Sequence, residues 1–335
     1  MELRRKRLTA EFLDPRRDYA STRVPLEIRW DPFTGQSCKL LPADSFPPPE
    51  QQDLDALALE TRSTCPFCAE RIEDATPRFP PELWAEGRVR CGEAVLFPNL
   101  TPYAKWSSVS VYSPNRHLLR IEELTPPLVA DNLRTQGTFA RAVLRHDPSS
   151  RWVSINANQL PPSGSSIFHP HLQGSANPEA TSVQRLVAKI GAALVREYVE
   201  LERHDGARWI GATGRVAWLA SFAPIGPAEV RGFVADTSSP EQLDDPAVVE
   251  VADGLSRVLR LYTALGFQSF NLAIYGVPDR GPESLLMIRL VGRAYFGPQL
   301  RSDAMWSERL HGEAAVDLAP ETVAERGREL FSGRS

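Results

Sequence analysis

The segment Ser163-Gly-Ser-Ser-Ile-Phe-His169-Pro-His171-Leu-Gln173-Gly constrains this chain more than any other stretch. Two of the six histidines lie here, two residues apart, and a glutamine follows two residues later. On an extended backbone side chains alternate with a period of two, so His169, His171 and Gln173 project to one face. Pro170 has no N–H to give a ladder, which places it at a strand end or on an edge. Ahead of it, Asn158, Ser163, Gly164, Ser165 and Ser166 supply the small and hydrogen-bonding groups of a phosphate-contacting loop. A surface strand with two incidental histidines is the alternative.

A chain of 335 residues can bury a large core, as one big domain or as two similar halves. A formal net charge of -4 argues against a general nucleic-acid or membrane-surface binder. No apolar run approaches the roughly 18 residues that span a bilayer. The start, Met-Glu-Leu-Arg-Arg-Lys-Arg, is basic but lacks a following apolar region, so it does not read as a secretory signal. Four cysteines in so long a chain make no disulfide framework, and a cytoplasmic, reduced protein is the simplest reading.

Two of those cysteines form Cys65-Pro-Phe-Cys68. Without a thioredoxin-like strand–helix–strand context, this knuckle reads as a zinc half-site, with free structural thiols as the alternative. Cys38 falls in a hairpin and Cys91 at the opening of a strand, so the missing ligands should be histidines.

Along the chain, residues 1–24 read as an Arg-rich surface arm and 27–41 as a hairpin turning at Asp31-Pro-Phe-Thr-Gly35. Residues 42–64 read as a loop with at most a short helix. Strands follow at 94–99 and 108–112, a helical period at 122–145, a strand at 152–158, and then the His-Pro-His segment. One long amphipathic helix is expected over about 181–203. The plan then repeats: strands at 216–224 and 230–234, a helix near 246–265, a strand at 270–275, a loop, and a strand from Ser284 that carries no histidine. The chain is therefore α+β with two related halves, and chemistry is retained only in the first.

Taken in order, Asp31-Pro-Phe-Thr-Gly35, Cys65-Pro-Phe-Cys68, Phe97-Pro-Asn99, Pro114-x-x-His117 and Asn158-x5-Gly164-x-Ser166-x-x-His169-Pro-His171-x-Gln173 span most of the chain. This set resembles the galactose-1-phosphate uridylyltransferase branch of the histidine-triad superfamily, which includes ADP-glucose phosphorylase-like proteins. The resemblance implies two histidine-triad-like halves, each an antiparallel sheet with helices packed on it. Residues 1–205 would carry the zinc and catalytic site, and 206–335 a degenerate copy. It implies one structural zinc per chain, held by Cys65, Cys68, His117 and His169. It also implies that His171 is a nucleophile, with Gln173 and the Gly164–Ser166 loop (Gly164, Ser165, Ser166) on the transferring phosphoryl group. Asn99 and Asn158 would contact the nucleotide.

The chemistry has its own logic. A neutral imidazole attacks phosphorus at neutral pH, and the resulting phosphoramidate is labile enough to discharge onto a second phosphate. Histidine-triad hydrolases carry a third histidine where Gln173 stands, so Gln173 argues for transfer to a phosphate rather than to water. The expected partners are a nucleotide or nucleotide sugar and a phosphorylated acceptor, without nucleic acid or membrane, and a homodimer is possible from the family. The basic cluster that family members carry after the hairpin is replaced here by Pro42-Ala-Asp-Ser-Phe-Pro-Pro-Pro. Arg289 reads as a phosphate contact or a surface charge. Two alternatives to a nucleotidyltransferase stay open: a nucleotide hydrolase, and an inactive zinc-stabilised nucleotide-binding protein.

Overall fold

A computed structural model of the chain describes residues 1–278, 284–297 and 304–332. The Arg-rich N-terminus is exposed, as expected of a surface arm, and forms a long ribbon of β1 (Arg5–Asp14) and β2 (Ala20–Trp30), paired antiparallel through their whole length. After the Asp31–Gly35 turn, β3 (Ser37–Leu40) pairs back onto β2. The turn is fixed by the Asp31 carboxylate, which accepts from the N–H groups of Phe33 and Thr34 at 3.0 and 2.8 Å. Helix α1 (Leu54–Arg62) is capped by Asp53 and leads into the cysteine knuckle, and α2 (Ile72–Ala75) follows it.

The first half is then built from β4 (Val89–Cys91), β5 (Ala94–Pro98), β6 (Trp106–Val111), α3 (Pro126–His146), β7 (Trp152–Gln159) and β8 (His171–Asn177). Cys91 thus closes a short strand rather than opening one. Pro170 lies immediately before β8, so its missing N–H costs the ladder nothing although β8 is an interior strand.

The single helix expected over 181–203 is two, α4 (Ser182–Ile190) and α5 (Ala192–Asp205). Gly191 between them sits at φ 85°, a left-handed conformation that an α-helix cannot pass through. The apolar period runs across the break and so concealed it.

The second half repeats the first: β9 (Trp209–Thr213), β10 (Val216–Ala220), β11 (Val230–Ala235), α6 (Asp245–Ala264), β12 (Ser269–Tyr275) and β13 (Leu285–Arg293). The loop expected between β12 and β13 runs through residues 279–283, outside the described residues. Helix α7 (Trp306–His311), strand β14 (Ala314–Val316) and helix α8 (Pro320–Phe331) finish the described chain, with β14 adding parallel to β3.

The two halves share one sheet. Its order is β4-β5-β6-β8-β7-β12-β13-β11-β10-β9, which reads the same from either end when β7 is exchanged for β12 and each other strand for its counterpart. The halves join where β7 and β12 pair antiparallel, with Ile155 opposite Ile274. Helices α3 and α6 cover one face, burying Leu133, Val251, Leu255 and Tyr262 against Ile155, Leu172, Ile274 and Ile288. Burial of aliphatic side chains at about 25 cal/mol per Å² makes this shared layer the main stabilising feature.

The opposite face differs between the halves. In the second half it is closed by α4, α5 and the Asp31–Gly35 turn, where Phe33, Val187, Val195 and Tyr198 pack on Ala217, Leu219, Phe233 and Met287. A buried charge cluster lies in this layer. Arg231 pairs with Asp31 and, at 3.0 Å, with Glu229, and Arg289 reaches Glu229 at 2.7 Å. Arg289 is therefore neither a surface charge nor open to a phosphate. In the first half the same face is covered instead by the cysteine knuckle and α2, where Phe67 and Ile72 pack on Val95, Phe97, Val109 and Val111, and the candidate site is there.

Candidate metal cluster and phosphoryl-transfer site

Cys65, Cys68, His117 and His169 are all buried, and their ligand atoms lie within 4.8 Å of one another. The knuckle is folded by local backbone bonds: the Ile72 N–H donates to the Cys68 carbonyl at 2.9 Å, and the Phe67 N–H points at the Cys65 sulfur at 3.4 Å. The histidines come from the β6–α3 connection and from the residue before Pro170. His117 Nδ1 is 3.3 Å from Cys68 Sγ, and His169 Nδ1 is 3.6 Å from Cys65 Sγ and 3.7 Å from Cys68 Sγ. Tetrahedral zinc with ordinary bond lengths sets sulfur and nitrogen ligands about 3.6 Å apart.

The ring protons settle which nitrogens face the cluster. His169 Nε2 donates to the Ser113 carbonyl at 2.9 Å, so its Nδ1 carries the bare lone pair. Thr61 Oγ1 spends its proton on the Leu57 carbonyl at 2.7 Å and accepts from His117 Nε2 at 2.9 Å, which leaves Nδ1 of His117 bare as well. Two thiols and two imidazole lone pairs thus converge, each ring held by a hydrogen bond from behind. Burial pushes the Cys68 thiol up to about 12, with Cys65 beside it adding to the shift, and burial brings His169 down to about 4. Both shifts arise chiefly from burial, and the charge of a bound cation would reverse that of the thiol.

Two residues beyond His169, the β8 strand turns His171 into a cleft of about 370 Å³, within the size range of small-molecule sites. Gln173, Ser166 and Asn99 line the same cleft. Its walls are apolar: Pro66 and Phe67 from the knuckle, Phe97 and Val109 from β5 and β6, Ile167, and Tyr103 at the rim. Phe67 joins the two sites, with its ring centroid 6.2 Å from that of His169 and 5.4 Å from that of His171. His171 Nδ1 donates to the His169 carbonyl at 2.8 Å, so the lone pair of the ring is on Nε2. Burial lowers the His171 pKa, and the ring is neutral at neutral pH.

The remaining expected residues lie beside the cleft rather than on its wall. Asn158 Oδ1 accepts from Asn271 Nδ2 at 2.6 Å, and the same Nδ2 reaches the Ser163 carbonyl at 3.0 Å. Gly164 takes φ 92°, and the Ser165 hydroxyl donates to the Ile167 carbonyl at 2.6 Å. Sequence reasoning did not find Thr61, the Ser113 carbonyl or Asn271, because each acts on a residue distant in the chain. Phe67 was legible inside the knuckle but had no reason to be assigned to the cleft.

No protein-family model matches the sequence. Among solved structures, the chain superposes on an ADP-glucose phosphorylase from Arabidopsis thaliana with bound ADP-glucose. The TM-score is 0.68 at 19% identity, covering 91% of this chain and 99% of that one. A uridylyltransferase matches with TM-score 0.63 at 18% identity, over 91% and 98% of the two chains. At these identities the likeness is one of fold: the chain has the two-lobed fold of these two structures. In sequence, an uncharacterised protein from Archaeoglobus fulgidus is 32% identical over 325 residues, 92% of this chain and 93% of its own length, and the chain belongs to the same family as that protein.

Proposed function

We propose that the protein is a nucleotidyltransferase or nucleotide-sugar phosphorylase that works by double displacement through His171. The observation that carries this reading is the hydrogen bond from His171 Nδ1 to the His169 carbonyl. It parks the ring proton on the far side and leaves Nε2 as the only basic nitrogen for attack on phosphorus.

In the first step Nε2 attacks the nucleotide's α-phosphorus. The N–P bond forms, the bond from phosphorus to the bridging oxygen breaks, and the departing phosphate leaves with that electron pair. In the second step an oxygen of the acceptor phosphate attacks the same phosphorus, the N–P bond breaks, and Nε2 recovers its lone pair. The Nδ1 proton stays in place throughout, and the His169 carbonyl supports the positive charge that the phosphorylated ring carries. Gln173 and Ser166 donate to the non-bridging oxygens, preorganised on a rigid strand and its loop. Asn99 and the apolar walls Phe67, Phe97 and Val109 would hold the nucleoside. Asn158, Gly164 and Ser165 shape the loop from behind.

The Cys65, Cys68, His117 and His169 cluster fits zinc by its donor chemistry and spacing, and all four positions are filled by protein. Such a metal is structural. It would fix His169, and through its carbonyl the tautomer of His171. The division into a working half, 1–205, and a degenerate half, 206–335, belongs to the same proposal.

Incubation with nucleoside diphosphate sugars labelled at the α-phosphate tests the reading. Label on the protein that is acid-labile and base-stable, dischargeable by phosphate or a sugar phosphate, supports it. Product release without label supports hydrolysis instead, and binding with neither sinks both.

A further inference from the structure

The loop that brings Ser166 to the cleft starts from a strained residue. Leu160 takes φ 66° and ψ 167°, a conformation kept almost wholly for glycine. Its side chain is buried with Leu54 and Phe168, and its carbonyl accepts from the Ser163 N–H and hydroxyl at 3.1 and 2.8 Å. The Gly164 N–H donates to the Pro161 carbonyl at 2.9 Å. A strained conformation persists only where its surroundings over-determine it. The first half makes the contacts on one side of this loop, and the second half makes the rest.

On β12, Phe270, Leu272 and Ile274 face the helices, as Leu172 does on β8. By alternation Asn271 stands on the face that carries His171 and Gln173. It lies directly opposite Asn158, where β7 and β12 join the halves. The Asn271 Nδ2 hydrogens go to Asn158 Oδ1 at 2.6 Å and to the Ser163 carbonyl at 3.0 Å, with the Ala157 carbonyl a longer neighbour at 3.4 Å. Asn271 Oδ1 accepts from Nη1 of Arg293, on β13, at 2.6 Å.

That last bond sets the direction of the others. A guanidinium only donates, so the Asn271 oxygen faces Arg293 and its NH2 group faces the loop. Asn158 in turn offers its oxygen to Asn271. A flipped Asn271 amide would set its NH2 against a cation and its oxygen against the Ser163 carbonyl. One cation on β13 thus decides two amide orientations and the donor that pins the loop. The Ser269 hydroxyl, also from β12, holds the Gln159 carbonyl just before Leu160.

We propose that Asn271 and Arg293 are positioning residues for phosphoryl transfer, which pin the Leu160–Ser166 loop from the second half and so place Ser166 on the transferring group. This rests on the nucleotidyl-transfer reading of the cleft. Neither residue lines the cleft, so both act through the loop. The second half carries no histidine on β13, yet it takes part in the chemistry of the first.

Two measurements on the full chain test this: hydrogen exchange of the loop amides, and the rate of protein labelling by a nucleoside diphosphate sugar labelled at the α-phosphate. Asn271→Asp keeps the size of the side chain and the contact to Arg293, but turns an oxygen towards the Ser163 carbonyl. The Ser163, Gly164 and Ser165 amides should then exchange about tenfold faster. Labelling at saturating substrate should slow about 10- to 100-fold with little change in the half-saturating concentration, because the misplaced group acts in the transition state. Arg293→Met should do the same more weakly, by freeing the Asn271 amide to turn over. Arg293→Lys, whose ammonium also only donates, should restore most of the rate. Where Asn271→Asp fails to fold, the two Arg293 variants carry the test. The proposal is overturned by loop exchange that matches wild type in Asn271→Asp and Arg293→Met. It is overturned as well by faster exchange with labelling within about twofold of wild type, or by an Arg293→Lys chain no better than Arg293→Met. A wild-type chain that takes no label refutes the transfer reading instead, and loop exchange alone then decides whether the pair pins the loop.

Discussion

The carbonyl of His169 accepts the Nδ1 proton of His171 at 2.8 Å, so a residue of the buried Cys2His2 cluster sets the tautomer of the residue proposed to attack phosphorus. Removing the attacking ring should therefore abolish transfer without disturbing the cluster. His171→Ala is expected to lose protein labelling and turnover while metal content and melting temperature hold. In His171→Gly, added imidazole should restore part of the turnover, since the cleft keeps its walls. An active His171→Ala protein, free of contaminating activity, would end the double-displacement reading.

Metal content and stability should fall together. Cys65→Ser should lose most of the one equivalent of zinc and unfold at lower temperature, because the binding free energy of a structural metal is folding free energy. Thr61→Val keeps the side-chain shape but strands the His117 Nε2 proton, and should weaken zinc affinity about 10- to 100-fold. Titration against a chelator of known affinity measures both. Wild-type protein purified with less than about a tenth of an equivalent of zinc would remove the claim.

Gln173 stands beside the attacking ring on the same strand face, and Gln173→Ala should cost on the order of 10²–10³ in kcat, as loss of one donor to a developing charge does. The labelled intermediate should still form, more slowly. A variant within about threefold of wild type would show that Gln173 makes no transition-state contact.

Strand β8 also shows how far the chain could be read before folding. The pairing of His171 with Gln173 on one side follows from alternation alone, and the cluster ligands follow from residue chemistry and family resemblance. The apolar walls of the cleft did not follow, because Phe97 and Val109 look like ordinary core residues until the knuckle's Phe67 packs beside them and leaves a cleft next to His171. Asn158 had a visible polar side chain but no visible partner, since Asn271 lies in the other half of the chain.

The buried charges of the second half give a pH prediction. Burial raises the carboxyl pKa values of Asp31 and Glu229, but Arg231 and Arg289 beside them outweigh it and hold both below the ordinary carboxylate range. A depressed native pKa means stability that is present above the ordinary value of about 4 and is lost as pH falls through the native one. Melting temperature should accordingly drop steeply on acidification below about pH 4. Arg231→Met leaves two buried carboxylates short of a partner and should cost about 3–5 kcal/mol at neutral pH. That deficit should shrink as pH falls and the carboxylates protonate. A deficit independent of pH would show that the cluster is not ionised.

By itself the sequence determined the two-half α+β plan, the strand that carries the histidines, and the cysteine knuckle with its need for histidine partners. These rest on local periods of side-chain polarity and on the chemistry of a few residues, both of which are written along the chain. Tertiary structure alone decided that the halves share one sheet through β7 and β12, and that the Asp31–Gly35 turn and α4–α5 cover one half while the cysteine knuckle and α2 cover the other. It also decided that Arg289 is spent on Glu229, and that the ribbon leaves β1 as a free edge. Those outcomes depend on which surfaces meet across long separations in the chain. The energy of such contacts lies in pairs of residues, and no local pattern records who the partner will be.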